Sequence, residues 1–142
     1  MKNSSYKILF ICKGNWFRSQ IAAVLYNKIT NSQSADSAGT YVGAPDEPEE
    51  MKISEAIPFD YFFDFMESRE MNIRDNRTTK LTPQMLEKYD TIISMAEEPY
   101  IPDYLKQNKN VIWWNVENPE HITKETVENT YNKIDSLVRK LF

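Results

Sequence analysis

The sequence predicts an α/β fold: a single three-layer domain over residues 1–142, with a mostly parallel four-stranded sheet and helices on both faces. Two observations carry this. Short apolar runs of strand length alternate along the chain with longer segments of helical period. Such alternation builds parallel sheets, because each crossover helix returns the chain to the same edge of the strands. The second observation is size: 142 residues suit one domain with a core of its own, and no internal repeat, linker or low-complexity segment divides them.

The first run, Tyr6-Lys7-Ile8-Leu9-Phe10-Ile11, reads as a buried strand. A turn follows at Lys13-Gly14-Asn15, and from Ser19 onward Ile21, Val24, Leu25 and Ile29 recur at helical spacing. Asn31 to Ser34 is a polar connection, and Asp36 to Thr40 reads as a short strand. Ala44 to Glu50 is acidic and contains proline, hence a loop, and its acidic run Asp46 to Glu50 is most simply solvated. Pro58 to Met71 reads as a helix with five aromatics in the seven residues from Phe59 to Phe65, more than one helical face can bury. Thr82 and Pro83 mark a helix start, as N-cap and first helical residue. Asp90 to Met95 and Val111 to Trp114 read as two further strands, with Trp113 and Trp114 on opposite faces. The last helix starts near Thr123, with Val127, Tyr131, Ile134, Val138 and Leu141 on one stripe.

Bulk properties exclude several classes. Hydrophobic residues at 41% and charged residues at 27% mark a globular chain. The net charge of −4 disfavours nucleic acid as a partner. No segment approaches the ~20 apolar residues of a membrane span. The N-terminal residues Met1 to Tyr6 lead into an apolar stretch too short for a secretory signal, and Cys12, the only cysteine, has no disulfide partner. These point to a protein of the cytoplasm. His121 is the only histidine and no cysteine lies near it, so neither a metal site nor a cofactor is expected.

The segment that carries chemistry is Cys12-Lys13-Gly14-Asn15-Trp16-Phe17-Arg18-Ser19. It lies between a strand and a helix, at the carboxyl end of the strand, where α/β sheets bind ligands. A helix beginning near Arg18 aims free N–H groups and its positive dipole end at this loop, and a curled backbone adds further amides, so the loop suits phosphate or another oxyanion. A cysteine attacks as its thiolate, a form favoured by a helix N-terminus and a neighbouring cation. Arg18 is that cation, and its fork can hold two oxygens of a phosphate. Five residues between Cys12 and Arg18 let the loop curl around one tetrahedral anion. Gly14 permits a bend without a Cβ, Asn15 tolerates left-handed dihedrals, and the Ser19 hydroxyl is close enough to donate to the sulfur. The plainer alternative is a small core cysteine at the end of a buried strand.

These residues resemble the signature of the low-molecular-weight protein tyrosine phosphatases, Cys-x5-Arg-Ser near the N-terminus. The resemblance extends through Ser37-Ala38-Gly39-Thr40 with Gly43, then Asn72-Ile73-Arg74 and Lys80-Leu81-Thr82. It continues through Tyr89 to Met95 and Trp114-Asn115-Val116-Glu117-Asn118-Pro119, so it spans nearly the whole chain in order. The thioredoxin-coupled bacterial arsenate reductases share this fold and loop. The resemblance implies a metal-free phosphocysteine mechanism: Cys12 attacks phosphorus and displaces an alcohol, most often a tyrosyl phenol, and water hydrolyses the intermediate. It makes Lys13, Gly14, Asn15, Trp16, Phe17, Arg18 and Ser19 the substrate-binding residues, with Trp16 where the family varies side chains that face the substrate. The partner is then a phosphorylated protein or a small phosphomonoester.

Two departures stand out. The family's general acid is an aspartate before a proline, and here Asn118 precedes Pro119. An amide delivers no proton, and loss of a positioned acid costs ~10²–10⁴ in rate, so a slow enzyme is expected. Glu117, Glu120 and His121 are the candidates to replace it, each against the simpler reading of a solvated loop residue. Glu120 and His121 also stand where the family places tyrosines that wall the phenol pocket. Second, Phe17 occupies the place of a second loop cysteine in the eukaryotic-type enzymes, and the further cysteines of the arsenate reductases are missing. The rival readings are a phosphate- or phosphoprotein-binding module with weak turnover, favoured by Asn118, and an arsenate reductase using an external thiol.

Overall fold

The computed structural model describes residues 6–45, 47 and 49–142. The N-terminal segment weighed as a signal lies outside them over residues 1–5, as does Asp46 of the acidic run. In chain order the elements are β1 (Ile8–Cys12), α1 (Arg18–Thr30), β2 (Ala35–Gly39), α2 (Ile53–Ala56), α3 (Asp60–Ser68), a 3-10 helix (Pro83–Glu87), β3 (Thr91–Ser94), α4 (Asp103–Lys106), β4 (Val111–Trp113) and α5 (Lys124–Arg139). The four strands form one parallel sheet in the order β2-β1-β3-β4, the α/β architecture expected.

β1 is central, and both of its faces are covered, which is why it reads as an unbroken apolar run. Ile8, Phe10 and Cys12 face a core shared with α1, α3 and α5. Leu9 and Ile11 face a second core with Ala38, Leu81, Ile92, Leu105 and Val111, against which Met85, Leu86 and Tyr104 of the 3-10 helix and α4 are packed. Burying side chains of this size stabilises by roughly 1.5–3 kcal/mol each. The chain leaves β1 for β2 on one side and later takes up β3 on the other. The carboxyl end of β1 is therefore the switch point of the sheet, where a crevice opens.

The structure corrects several element boundaries. The helix expected over Pro58 to Met71 is α3, Asp60–Ser68. Phe59 before it is non-helical, at φ −112° and ψ 79°, and Glu70 after it turns the chain at φ 65°. Of its aromatic run only Phe62 and Phe63 are fully buried. Thr82 does precede a helical turn, but a 3-10 turn with no side-chain cap bond and no buried residue. α5 starts at a capping box: Thr123 Oγ1 accepts from Thr126 N at 3.1 Å and Thr126 Oγ1 accepts from Thr123 N at 2.8 Å. Its buried stripe ends at Val138, because Leu141 lies past the helix end and is exposed. Trp113 is exposed on the edge strand, whereas Trp114 packs on Phe10, ring centroids 5.7 Å apart.

Candidate functional site

The loop leaves β1 at Cys12 and is held from its flank by β2. Thr40 N donates to Cys12 O and Tyr41 N to Lys13 O, each at 2.9 Å. The approach is so close that a Cβ on Gly39 would lie 2.7 Å from Lys13 O and 2.9 Å from Asn15 Cβ. A side chain there would have to push the loop aside. Asn15 adopts φ 59°, the left-handed region that asparagine tolerates.

Asn15 is fully buried, and its hydrogen bonds decide the polarity of the network beneath the loop. Thr79 N donates to Asn15 Oδ1 at 2.6 Å, which turns Asn15 Nδ2 toward Ser19 Oγ at 2.7 Å. With its oxygen already accepting, Ser19 can aim its own hydrogen at Cys12 Sγ, 3.0 Å away. Asn15 N donates to the same sulfur at 3.3 Å, and Gln20 Nε2 braces the loop at Asn15 O. Two donors thus converge on one sulfur, the arrangement that holds a thiolate. Gln20 and Thr79 were not legible as site residues. Gln20 is a polar helix residue without motif, and Thr79 arrives from 64 residues away.

Arg18 opens α1 and is 2% exposed. Nη1 donates to Met95 O at 2.6 Å and to Val116 O at 3.0 Å, so carbonyls following β3 and β4 fix its plane. Nη2 lies 3.0 Å from Glu97 Oε1. The angles do not make this contact a hydrogen bond; Glu97 Oε1 is shielded from solvent and has no hydrogen-bond partner among the described residues. It is an ion pair held by charge. The other oxygen of Glu97 accepts from Asn118 Nδ2 at 3.3 Å. Glu97 therefore joins the loop arginine to the residue at the expected general-acid position, a role no motif signalled.

A hollow of about 460 Å³ opens over the loop. Cys12 and Lys13 through Arg18 line it, while Ser19 lies behind the sulfur with no exposed surface. Asn118, Glu120 and His121 border it from the segment after β4; Glu117 instead faces a neighbouring hollow between the sheet ends and α5. Trp16 packs beside Phe59, ring centroids 6.1 Å apart and planes tilted by 33°, and both line the opening. The aromatic wall is thus built from the loop and the residue before α3, not from residues 120 and 121. Lys13 pairs with Glu47 at 3.1 Å, both side chains below 10% exposed, and lies 4.2 Å from the Tyr100 ring centroid. The Glu47 carboxylate covers Gly14 so closely that a Cβ there would fall 2.2 Å from Oε1.

A comparison with family models finds one match, described as low molecular weight phosphotyrosine protein phosphatase, over residues 7–142. The chain belongs to this family. Among solved structures, a low molecular weight protein tyrosine phosphatase from T. tengcongensis superposes with a TM-score of 0.75 at 21% identity, covering 96% of this chain and 97% of that one. Wzb of Vibrio vulnificus, solved with benzylphosphonate, gives 0.73 at 19% identity and 96% of each chain. A thioredoxin-dependent arsenate reductase of Corynebacterium glutamicum gives 0.70 at 23% identity, covering 99% of this chain and 62% of that one. At these identities the likeness is one of fold. A comparison with curated proteins finds no match. No helix among the described residues is long and apolar enough to cross a membrane.

Proposed function

We propose that this chain is a cysteine-dependent phosphomonoesterase of the cytoplasm, a protein tyrosine phosphatase acting through a phosphocysteine on Cys12. The observation that carries the reading is the pair of donors, Ser19 Oγ and Asn15 N, on the Cys12 sulfur at the floor of a hollow beside the start of α1. The Cys12 thiolate attacks phosphorus as the bond to the ester oxygen breaks, and the loop amides and Arg18 stabilise the equatorial oxygens. Water then attacks the phosphocysteine, releasing phosphate and the thiolate. The Trp16 and Phe59 wall suits an aryl leaving group. The family membership supports the same chemistry.

Asn118 borders the hollow but offers no proton, and its amide is committed to Glu97. Turnover is therefore slow on poor leaving groups and least affected on activated aryl esters. Glu120 and His121 stay as candidate donors, whereas Glu117 is disfavoured because it borders the other hollow. The same commitment of Asn118 favours the second reading, a phosphoprotein-binding module.

Hydrolysis of p-nitrophenyl phosphate by the unaltered protein and by Cys12→Ser separates the two. Turnover that disappears in the variant, with oxyanion binding retained, supports the enzyme. Turnover that survives Cys12→Ser removes Cys12 as nucleophile. Binding without turnover in the unaltered protein supports the module. Arsenite formed from arsenate with an added thiol would instead indicate a reductase.

A further inference from the structure

We propose that Glu97 is a positioning residue that acts as counter-charge to Arg18, loosening the grip of the loop on oxyanions so that phosphate is released. The inference rests on the reading of the loop as an oxyanion site. Arg18 is held in two ways that differ in charge. The carbonyls of Met95 and Val116 fix its orientation and leave its charge intact. Glu97 adds a full negative charge 3.0 Å from Nη2, through an oxygen shielded from water. The Glu97 side chain is 36% exposed, so solvent and salt screen the pair in part, but the oxygen that meets the buried Arg18 is itself shielded from water and keeps the attraction significant. The other basic side chain of the loop, Lys13, is met in the same way by Glu47. An incoming phosphate dianion must compete with Glu97 for Arg18, and its affinity is the difference between the two attractions.

The anchoring of Glu97 supports a tuned arrangement over an incidental contact. It follows β3 directly, in a turn where Ala96 N donates to Ser94 Oγ at 3.2 Å, and the same turn supplies the Met95 carbonyl. Its second oxygen is occupied by Asn118. One short segment thus delivers one carbonyl of the neutral clamp and the opposing charge.

The test is the variant Glu97→Gln, which keeps the shape. Its amide oxygen can face Arg18, and its amide nitrogen can donate to Asn118 once that side chain rotates. Calorimetric affinity for inorganic phosphate, and inhibition by vanadate, should tighten about tenfold, equivalent to one unit of pKa-scale interaction. KM for p-nitrophenyl phosphate should fall with them. A merely structural role predicts the opposite, because a disordered Arg18 binds less well. Equal or weaker phosphate affinity in a variant with unaltered circular dichroism overturns the proposal. Should Glu97→Gln not fold, Glu97→Asp carries the test: its carboxylate, withdrawn by one methylene, should give a smaller gain of the same sign, and no gain overturns it. If the unaltered protein binds phosphate without hydrolysing ester, the enzyme reading fails while this measurement still decides the role of Glu97. If no variant binds phosphate, both fall.

Discussion

Asn118 is the residue proposed for the general-acid position, and its contact with Glu97 determines what a carboxylate there would do. In Asn118→Asp two carboxylates lie within hydrogen-bond reach, and such pairs share a proton at a pH where either alone is ionised. That shared proton supplies the missing acid. The variant should raise turnover of phenyl phosphate on the order of 10²-fold, and that of p-nitrophenyl phosphate much less, since its phenolate leaves unaided. Equal effects on both esters would remove residue 118 from the acid role. Asn15 is the other decisive residue. Asn15→Ala breaks the bonds to Thr79 and Ser19 and leaves the part-buried backbone N–H of Thr79 without its acceptor. The cost should be about 2–3 kcal/mol of stability, read by urea unfolding. Turnover should fall as well, because Ser19 loses the donor that orients its hydroxyl.

At the scale of elements, the loop was legible because all its parts are contiguous: a continuous apolar strand, then Cys12 to Ser19, then a helix. The braces were not, because Gln20, Thr79, Glu47, Phe59 and Glu97 acquire their roles only when distant segments meet. α2 and α4 escaped notice because four residues make one turn and show no period. The helix expected over Pro58 to Met71 is shorter at both ends because helical composition continues where the dihedrals of Phe59 and Glu70 do not. α5 was legible in both start and stripe, since its cap and its apolar period are local. Thr123→Ala should cost α5 about 1 kcal/mol by thermal melting and leave turnover of p-nitrophenyl phosphate untouched, as the cap lies outside the residues lining the hollow.

For the whole molecule, the tyrosines set an alkaline limit. Burial raises the pKa of Tyr89, reinforced by its hydrogen bond to Asp36 at 2.8 Å, and burial also raises Tyr104, Tyr131 and Tyr26. A raised folded-state pKa leaves its contribution complete below the ordinary tyrosine value of ~10, and the contribution is lost as pH climbs above it. Melting temperature should therefore drop as the pH rises above about 10. Tyr89→Phe should show a shallower drop, and an equal one would remove Tyr89 from the account.

The clamp on Arg18 also bears on how variants of this protein can be interpreted. Its guanidinium spans the ends of β3 and β4 from the first turn of α1, so it works as a rivet across three elements as well as the proposed ligand for anions. Truncating it would strip two buried carbonyls of their donor and strand the Glu97 carboxylate. An inactive Arg18→Ala variant would then report a loosened scaffold as readily as the loss of the proposed phosphate contact. Attribution requires the gentler Arg18→Lys, compared at equal unfolding free energy.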